Sequence, residues 1–245
     1  MALHCGEFNP EELPACKAES LVAYLELAHV FPEFTLAGSR SSWLEAPLFC
    51  RYITDRDRAW FVQEPFTHGY VPVSTIIKKP YIWMELINRI NRVGAQAGFS
   101  YDHTGKFVAA IGELWSNIID HSQKIDTGYI GLKLTPGLFE FVVADHGVGI
   151  LASLNSNPKH ESLRDHGRAI ELALSEGVSR YDDREGHGYG FRPLFTGLAN
   201  IARDLRFRSG DHARVITRVD SGQPEARTYQ LAPLTGFFCS VTCTL

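Results

Sequence analysis

Residues 138–150 read LFEFVVADHGVGI, and the rest of the chain is best understood outward from them. LFEFVVA is a strand-like run that ends on Asp145, with Gly147 and Gly149 following at once. A carboxylate at a strand end can accept a hydrogen bond from an exocyclic amine such as that of adenine, and the glycines let the backbone turn tightly and pass close to a ligand. A plain turn after a strand accounts for the same letters. The preceding run, YIGLKL (129–134), is split from it by Thr135, Pro136 and Gly137, so the two are expected to form a hairpin.

Upstream, TGKFVAAIGELWSNIIDHS (104–122) has the period of a helix. Thr104 is the expected N-cap, and Phe107, Ile111, Leu114 and Ile118 form the stripe that faces a core. Glu113, Asn117 and His121 lie at i, i+4 and i+8, so they share one face beside that stripe. A solvated face is one account of three such polar residues. Trp115, Ile118 and Ile119, interleaved with them, leave little of the circumference for water. An amide oxygen at Asn117 suits magnesium, a hard cation that takes oxygen ligands and keeps several waters. Glu113, one turn earlier, is placed to orient or deprotonate a water.

Downstream come a helix, LRDHGRAIELALSEG (163–177), and a glycine-rich turn, GHGYGF (186–191), leading into a helical FRPLFTGLANIARD. Glycine loops that open a helix present amides to phosphate oxygens. The turn lacks the lysine and the serine or threonine of a P-loop, and no strand leads straight into it as a dinucleotide fingerprint requires. The tail alternates through LRFRSG, ARVITRV, RTYQL and GFFCSVTCTL, four expected strands. Before residue 100, an amphipathic helix is expected over 17–31, strands in RAWFVQEPF (58–66) and YVPVSTII (70–77), and a second helix over 81–93. These residues, 1–100, form an α+β extension or small domain whose sequence names no chemistry.

Taken in order, ELWSNIIDHS, DHGVGI and GHGYGF resemble the asparagine box and the two glycine boxes of the GHKL ATPase superfamily, which includes DNA gyrase, heat-shock-class chaperone ATPases, histidine kinases and mismatch-repair MutL proteins. The resemblance covers residues 101–245. It implies an α/β Bergerat-type two-layer sandwich, a mixed sheet with helices on one face, that binds ATP with Mg2+. Residue by residue it implies that Asn117 coordinates magnesium, Glu113 acts as general base and Asp145 holds the adenine amine. Gly147, Gly149 and Ile150 would wall the nucleotide, and Gly186, His187, Gly188, Tyr189, Gly190 and Phe191 would close over its phosphates. His121 completes an ExxxNxxxH pattern similar to that of the anti-sigma serine kinases. Residues 151–185 fall where the family keeps a mobile lid, here with Asn155, Asn157, Lys159, Arg164, Arg168, Gly177, Arg180 and Arg184. Thr235 precedes Gly236, the reverse of the family's last box.

The implied function is a slow ATPase whose nucleotide state sets the lid and a partner interface; a serine protein kinase and a non-catalytic nucleotide sensor use the same groove. ATP or ADP and an unidentified protein partner are the expected ligands, with a homodimer worth testing. The 245 residues carry 24 Lys and Arg against 28 Asp and Glu, scattered rather than gathered in a stripe, so no nucleic-acid footprint is expected. No apolar run of about 18 residues and no basic-then-apolar leader is seen, so a cytoplasmic chain without a membrane span is expected. Five cysteines without zinc-type pairs fit free thiols, with Cys239 and Cys243 buried in the last strand.

Overall fold

The structure, a computed structural model, describes residues 20–30, 56–62, 67–175, 198, 201–218 and 224–245. Its centre is the expected hairpin. β3 (Tyr129–Thr135) and β4 (Leu138–Asp145) pair antiparallel with Thr135 opposite Leu138, so Pro136 and Gly137 alone make the turn. The four strands expected after residue 200 are two long ones, β5 (Asp204–Thr217) and β6 (Glu225–Thr244), with register shifts at Ser209, Gly210 and His212. A bulge keeps a strand continuous while interrupting its period, which is how two strands read as four.

On the other side of the hairpin, β1 (Trp60–Val62) and β2 (Thr67–Pro72) extend the sheet, because β2 pairs with β3 from Thr67–Leu134 to Pro72–Tyr129. The six-stranded order is β1-β2-β3-β4-β6-β5, and every pairing among the described residues is antiparallel. That differs from the expected mixed sheet. The sheet also continues through strands from before residue 100.

Residues 73–77, read as strand for their β-branched content, are helical instead. Pro72 ends β2, Val73 N donates to Gly128 O at 2.8 Å, and α2 runs from Val73 to Lys78. α3 (Tyr81–Gln96) and α4 (Tyr101–His121) follow. The cap of α4 is Ser100, whose Oγ accepts from His103 N at 3.2 Å, and not Thr104, which is buried inside the helix with its hydroxyl on Tyr101 O. Phe107, Ile111, Leu114 and Ile118 are fully buried, as their spacing requires. They meet Phe139, Phe141 and Val143, the odd-numbered residues of β4, and Cys239, Val241 and Cys243 of β6. Both cysteines are free and buried, and burial raises their thiols, Cys243 to about 12.

α5 (Gly149–Asn155) and α6 (His166–Ala173) cover the same face. Leu154, Ala169, Ile170 and Ala173 are buried in that core, while Lys159, Arg164 and Arg168 of the 151–185 stretch are exposed. The remainder of that stretch, 176–185, lies outside the described residues, as do GHGYGF and nearly all of FRPLFTGLANIARD.

Helices do not cover one face only. α1 (Leu21–Val30) crosses the opposite face, where Leu21 and Leu25 pack on Tyr129, Val142, Ala144 and Phe238, the alternate residues of the same strands. α1 is not amphipathic as its sequence suggests: Glu26 and His29 are buried along with Leu25, Leu27 and Ala28. The buried carboxylates on this face are paired. Glu26 bridges Arg206 and Arg208 of β5, and Glu140 of β4 accepts from Leu21 N and Ser20 Oγ at the start of the helix. Among the described residues no helix is long and apolar enough to cross a membrane.

Candidate functional site

Asp145 closes β4 on the odd-numbered, α4-covered side, one strand step beyond Val143. Its side chain is 3 % exposed, and Oδ1 accepts from Gly147 N at 2.7 Å. Oδ2 has no hydrogen-bond partner among the described residues. The turn that follows is fixed from three sides. Val148 N donates to Ser122 O at the end of α4 at 3.0 Å, and His146 N to Thr127 Oγ1 at 3.0 Å. Ile150 N donates to Ser209 Oγ at 3.0 Å, and that hydroxyl in turn donates to Gly236 O at 2.8 Å.

Two glycines are dictated by this packing. A Cβ on Gly147 would lie 2.1 Å from Ser122 O, and one on Gly236, whose φ is +78°, 2.0 Å from Asp145 O. The Thr235–Gly236 order that departs from the family pattern therefore serves the β6 side of the same turn. Gly149 opens α5 and Ile150 is buried in the core.

α4 carries the other expected residues, and its C-terminal end meets this turn at Ser122. Glu113 is exposed, whereas Asn117 and His121 are half-buried, so their shared face sinks toward the C-terminal end where Ser122 meets Gly147. Asn117 stands five residues before Ser122, about 7 Å along the axis. Its Nδ2 donates to Glu113 O at 2.8 Å, which turns the amide oxygen away from its own helix; among the described residues that oxygen has no partner. Trp115 packs on Trp83 of α3, with ring centres 5.7 Å apart. A buried carboxylate and an outward amide oxygen thus flank one end of one helix. This donor set fits an amine at Asp145 and a hard cation at Asn117.

Sequence reasoning missed His146, which points to the opposite face from Asp145. Its ring stacks on His29 of α1 at 3.8 Å, and its Nε2 lies 3.2 Å from His29 O. His29 in turn meets Tyr129 OH and Thr235 O. No local signal marks this, since the partner is 117 residues away.

Burial pushes Asp145 up from 3.8 to about 6, with the Gly147 N–H pulling the other way. Burial first, then the neighbouring His146, pushes His29 down from 6.5 to about 3, and burial lowers His146 as well. The two largest effects oppose each other. Between 3.8 and about 6 the folded chain keeps a proton on Asp145 that the unfolded chain has lost, so this group's contribution is lost as pH rises. Between about 3 and 6.5 the unfolded chain binds a proton that the folded His29 refuses, so stability falls as pH drops. Asp145→Asn removes only the first of these. Acidifying the variant from pH 6 to 4 should therefore cost about 1.4 kcal/mol per pH unit more than in the unmodified protein. Urea denaturation across that range measures it, and parallel profiles would contradict the assignment.

No protein-family model, no curated protein and no solved structure matches the chain.

Proposed function

We propose that the chain is a Mg-ATP-binding protein of GHKL type, with a Bergerat-like arrangement of sheet and helices, that hydrolyses ATP slowly and uses the nucleotide state to govern a protein partner. The observation that carries this is the buried, half-satisfied carboxylate of Asp145, pinned against the end of the helix that bears Glu113 and Asn117. Asp145 Oδ2 would take the adenine amine. Asn117 Oδ1 would be the protein's ligand to magnesium, the metal's other positions falling to phosphate oxygens and water. Magnesium supplies charge neutralisation at the phosphates, and the chain's own share is positioning. Glu113, exposed on the same helix face, would accept the proton of an attacking water. The exposure of Glu113 also suits a protein serine hydroxyl, which keeps the anti-sigma kinase type as the second reading. A cytoplasmic setting accords with the two free, buried thiols of β6.

Phosphate release separates these. Glu113→Gln should lower it at least about a hundredfold while leaving ATP binding within a fewfold, the usual scale of a general base. Radiolabel carried to a partner protein instead of water would favour the kinase. Binding with neither activity would leave a sensor.

A further inference from the structure

The connection between α2 and α3 is an outward corner. Lys79 N donates to Thr75 O at 2.8 Å, Ile82 N to Lys79 O at 3.0 Å and Trp83 N to Pro80 O at 3.1 Å, so one helix turns into the next without a loose loop. Ile76, Ile82 and Leu86 beneath it are buried and anchor it to the core, whereas every residue from Ile77 to Tyr81 is exposed. Ile77 is 48 % exposed, Tyr81 61 % and Met84 54 %, three large apolar side chains within eight positions. Further along α3 the outward residues are Glu85, Asn88 and Arg92, so the apolar exposure is confined to the corner. Lys78 and Lys79 stand between Ile77 and Tyr81, and among the described residues neither ammonium has a hydrogen-bond or ion-pair partner. Glu85, the nearest acid along the chain, is bonded to Arg89 at 3.3 Å. The turn that leads to Gly128, whose carbonyl receives Val73 N, adds Lys124 and Asp126, both exposed and of opposite charge.

We propose that this corner docks the protein on an anionic lipid bilayer, with Ile77, Tyr81 and Met84 entering the interface and Lys78 and Lys79 lying on the headgroup phosphates. An interface is layered, apolar beneath and negatively charged above, and a corner that alternates apolar and cationic side chains matches both layers. Tyrosine sits at the headgroup level because its ring is apolar and its hydroxyl wet. Lysine lays its stem along apolar surface and keeps its ammonium outside. Charge complementarity alone would also suit an acidic peptide, but apolar side chains that stand out from a helical corner insert into a bilayer, whereas a peptide's apolar anchors need a groove to receive them. None of these residues belongs to the nucleotide reading, and the proposal does not depend on it.

The test sediments the full chain with vesicles of phosphatidylcholine containing about one-third phosphatidylserine, with vesicles of phosphatidylcholine alone as comparator. The chain is expected on the anionic vesicles, with binding to the neutral ones at least about tenfold weaker. Lys78→Gln combined with Lys79→Gln should weaken anionic binding by at least about tenfold, and Lys78→Arg combined with Lys79→Arg should leave it within about threefold. Ile77→Ser combined with Met84→Ser should also weaken it by at least about tenfold, an effect that a purely electrostatic contact would not show. All four positions are exposed, circular dichroism verifies each fold, and either the charge or the apolar pair suffices for the test. Absence from the anionic vesicles, equal binding to neutral ones, or binding indifferent to either pair would overturn the proposal. Tighter binding to soluble polyglutamate than to the anionic vesicles would overturn it in favour of an acidic protein partner.

Discussion

Glu26→Ala is expected to destabilise the protein by about 3–5 kcal/mol, the usual cost of removing one partner from a buried ion pair. Glu26 is 4 % exposed and Arg208 fully buried. Its two carboxylate oxygens serve Arg206 and Arg208, whose strand it thereby holds to α1 across the sheet. Burial already disfavours the charge on Arg208, and Glu26 is the group that offsets it. The alanine variant would leave two guanidinium groups in a space built for a neutralised cluster, with Arg208 keeping only Ala232 O as an acceptor among the described residues. Replacing Glu26 and Arg208 together by leucine and methionine should recover much of the loss, because the penalty lies in the stranded charge and not in the missing bond. Urea midpoints of the single and double variants decide this. A single variant within about 1 kcal/mol of the unmodified protein would mean the cluster is solvated.

Asp145→Asn is the second large effect. The asparagine can keep its oxygen on Gly147 N, where Oδ1 now accepts, and so preserve the turn. Its NH2 then occupies the position of Oδ2 and opposes the adenine amine donor to donor. ATP affinity should fall by between about tenfold and a hundredfold, as expected for a charge-assisted bond replaced by a mismatch. Guanine presents a carbonyl at the corresponding position and accepts where adenine donates. The preference for ATP over GTP should therefore shrink or invert in the variant, a change that general unfolding would not produce. Competition titrations with both nucleotides read it directly.

The residues that were legible from sequence are those whose partners lie close in the chain. The 135–138 turn, the stripe from Phe107 to Ile118, and the strand ending on Asp145 all follow from local period and turn chemistry, and the structure has them where the sequence puts them. The second face was illegible for the opposite reason. Glu26 meets its arginines 180 and 182 residues away, and nothing in LVAYLELAHV foretells a helix buried on nearly every side. Val73–Lys78 is helical because Gly128 receives its first amide, a tertiary contact that overrides the β-branched composition. Ser209 shows both kinds at once: its place at a register shift interrupts the strand period, and its hydroxyl joins the Asp145 turn to Gly236.

The nucleotide proposal rests on Asp145 and Asn117 together taking magnesium-bound ATP. Thermal denaturation with and without Mg-ATP tests it directly. At a hundred times the dissociation constant a ligand specific to the folded chain adds about 2.7 kcal/mol, which for a chain of this size raises the melting temperature by roughly 5–10 °C. That rise should appear in the unmodified protein and largely vanish in Asn117→Ala, whose melting temperature without ligand should be nearly unchanged because the side chain is half-buried and bonds only to its own helix. No rise at any Mg-ATP concentration, or one of equal size in Asn117→Ala, would contradict the account.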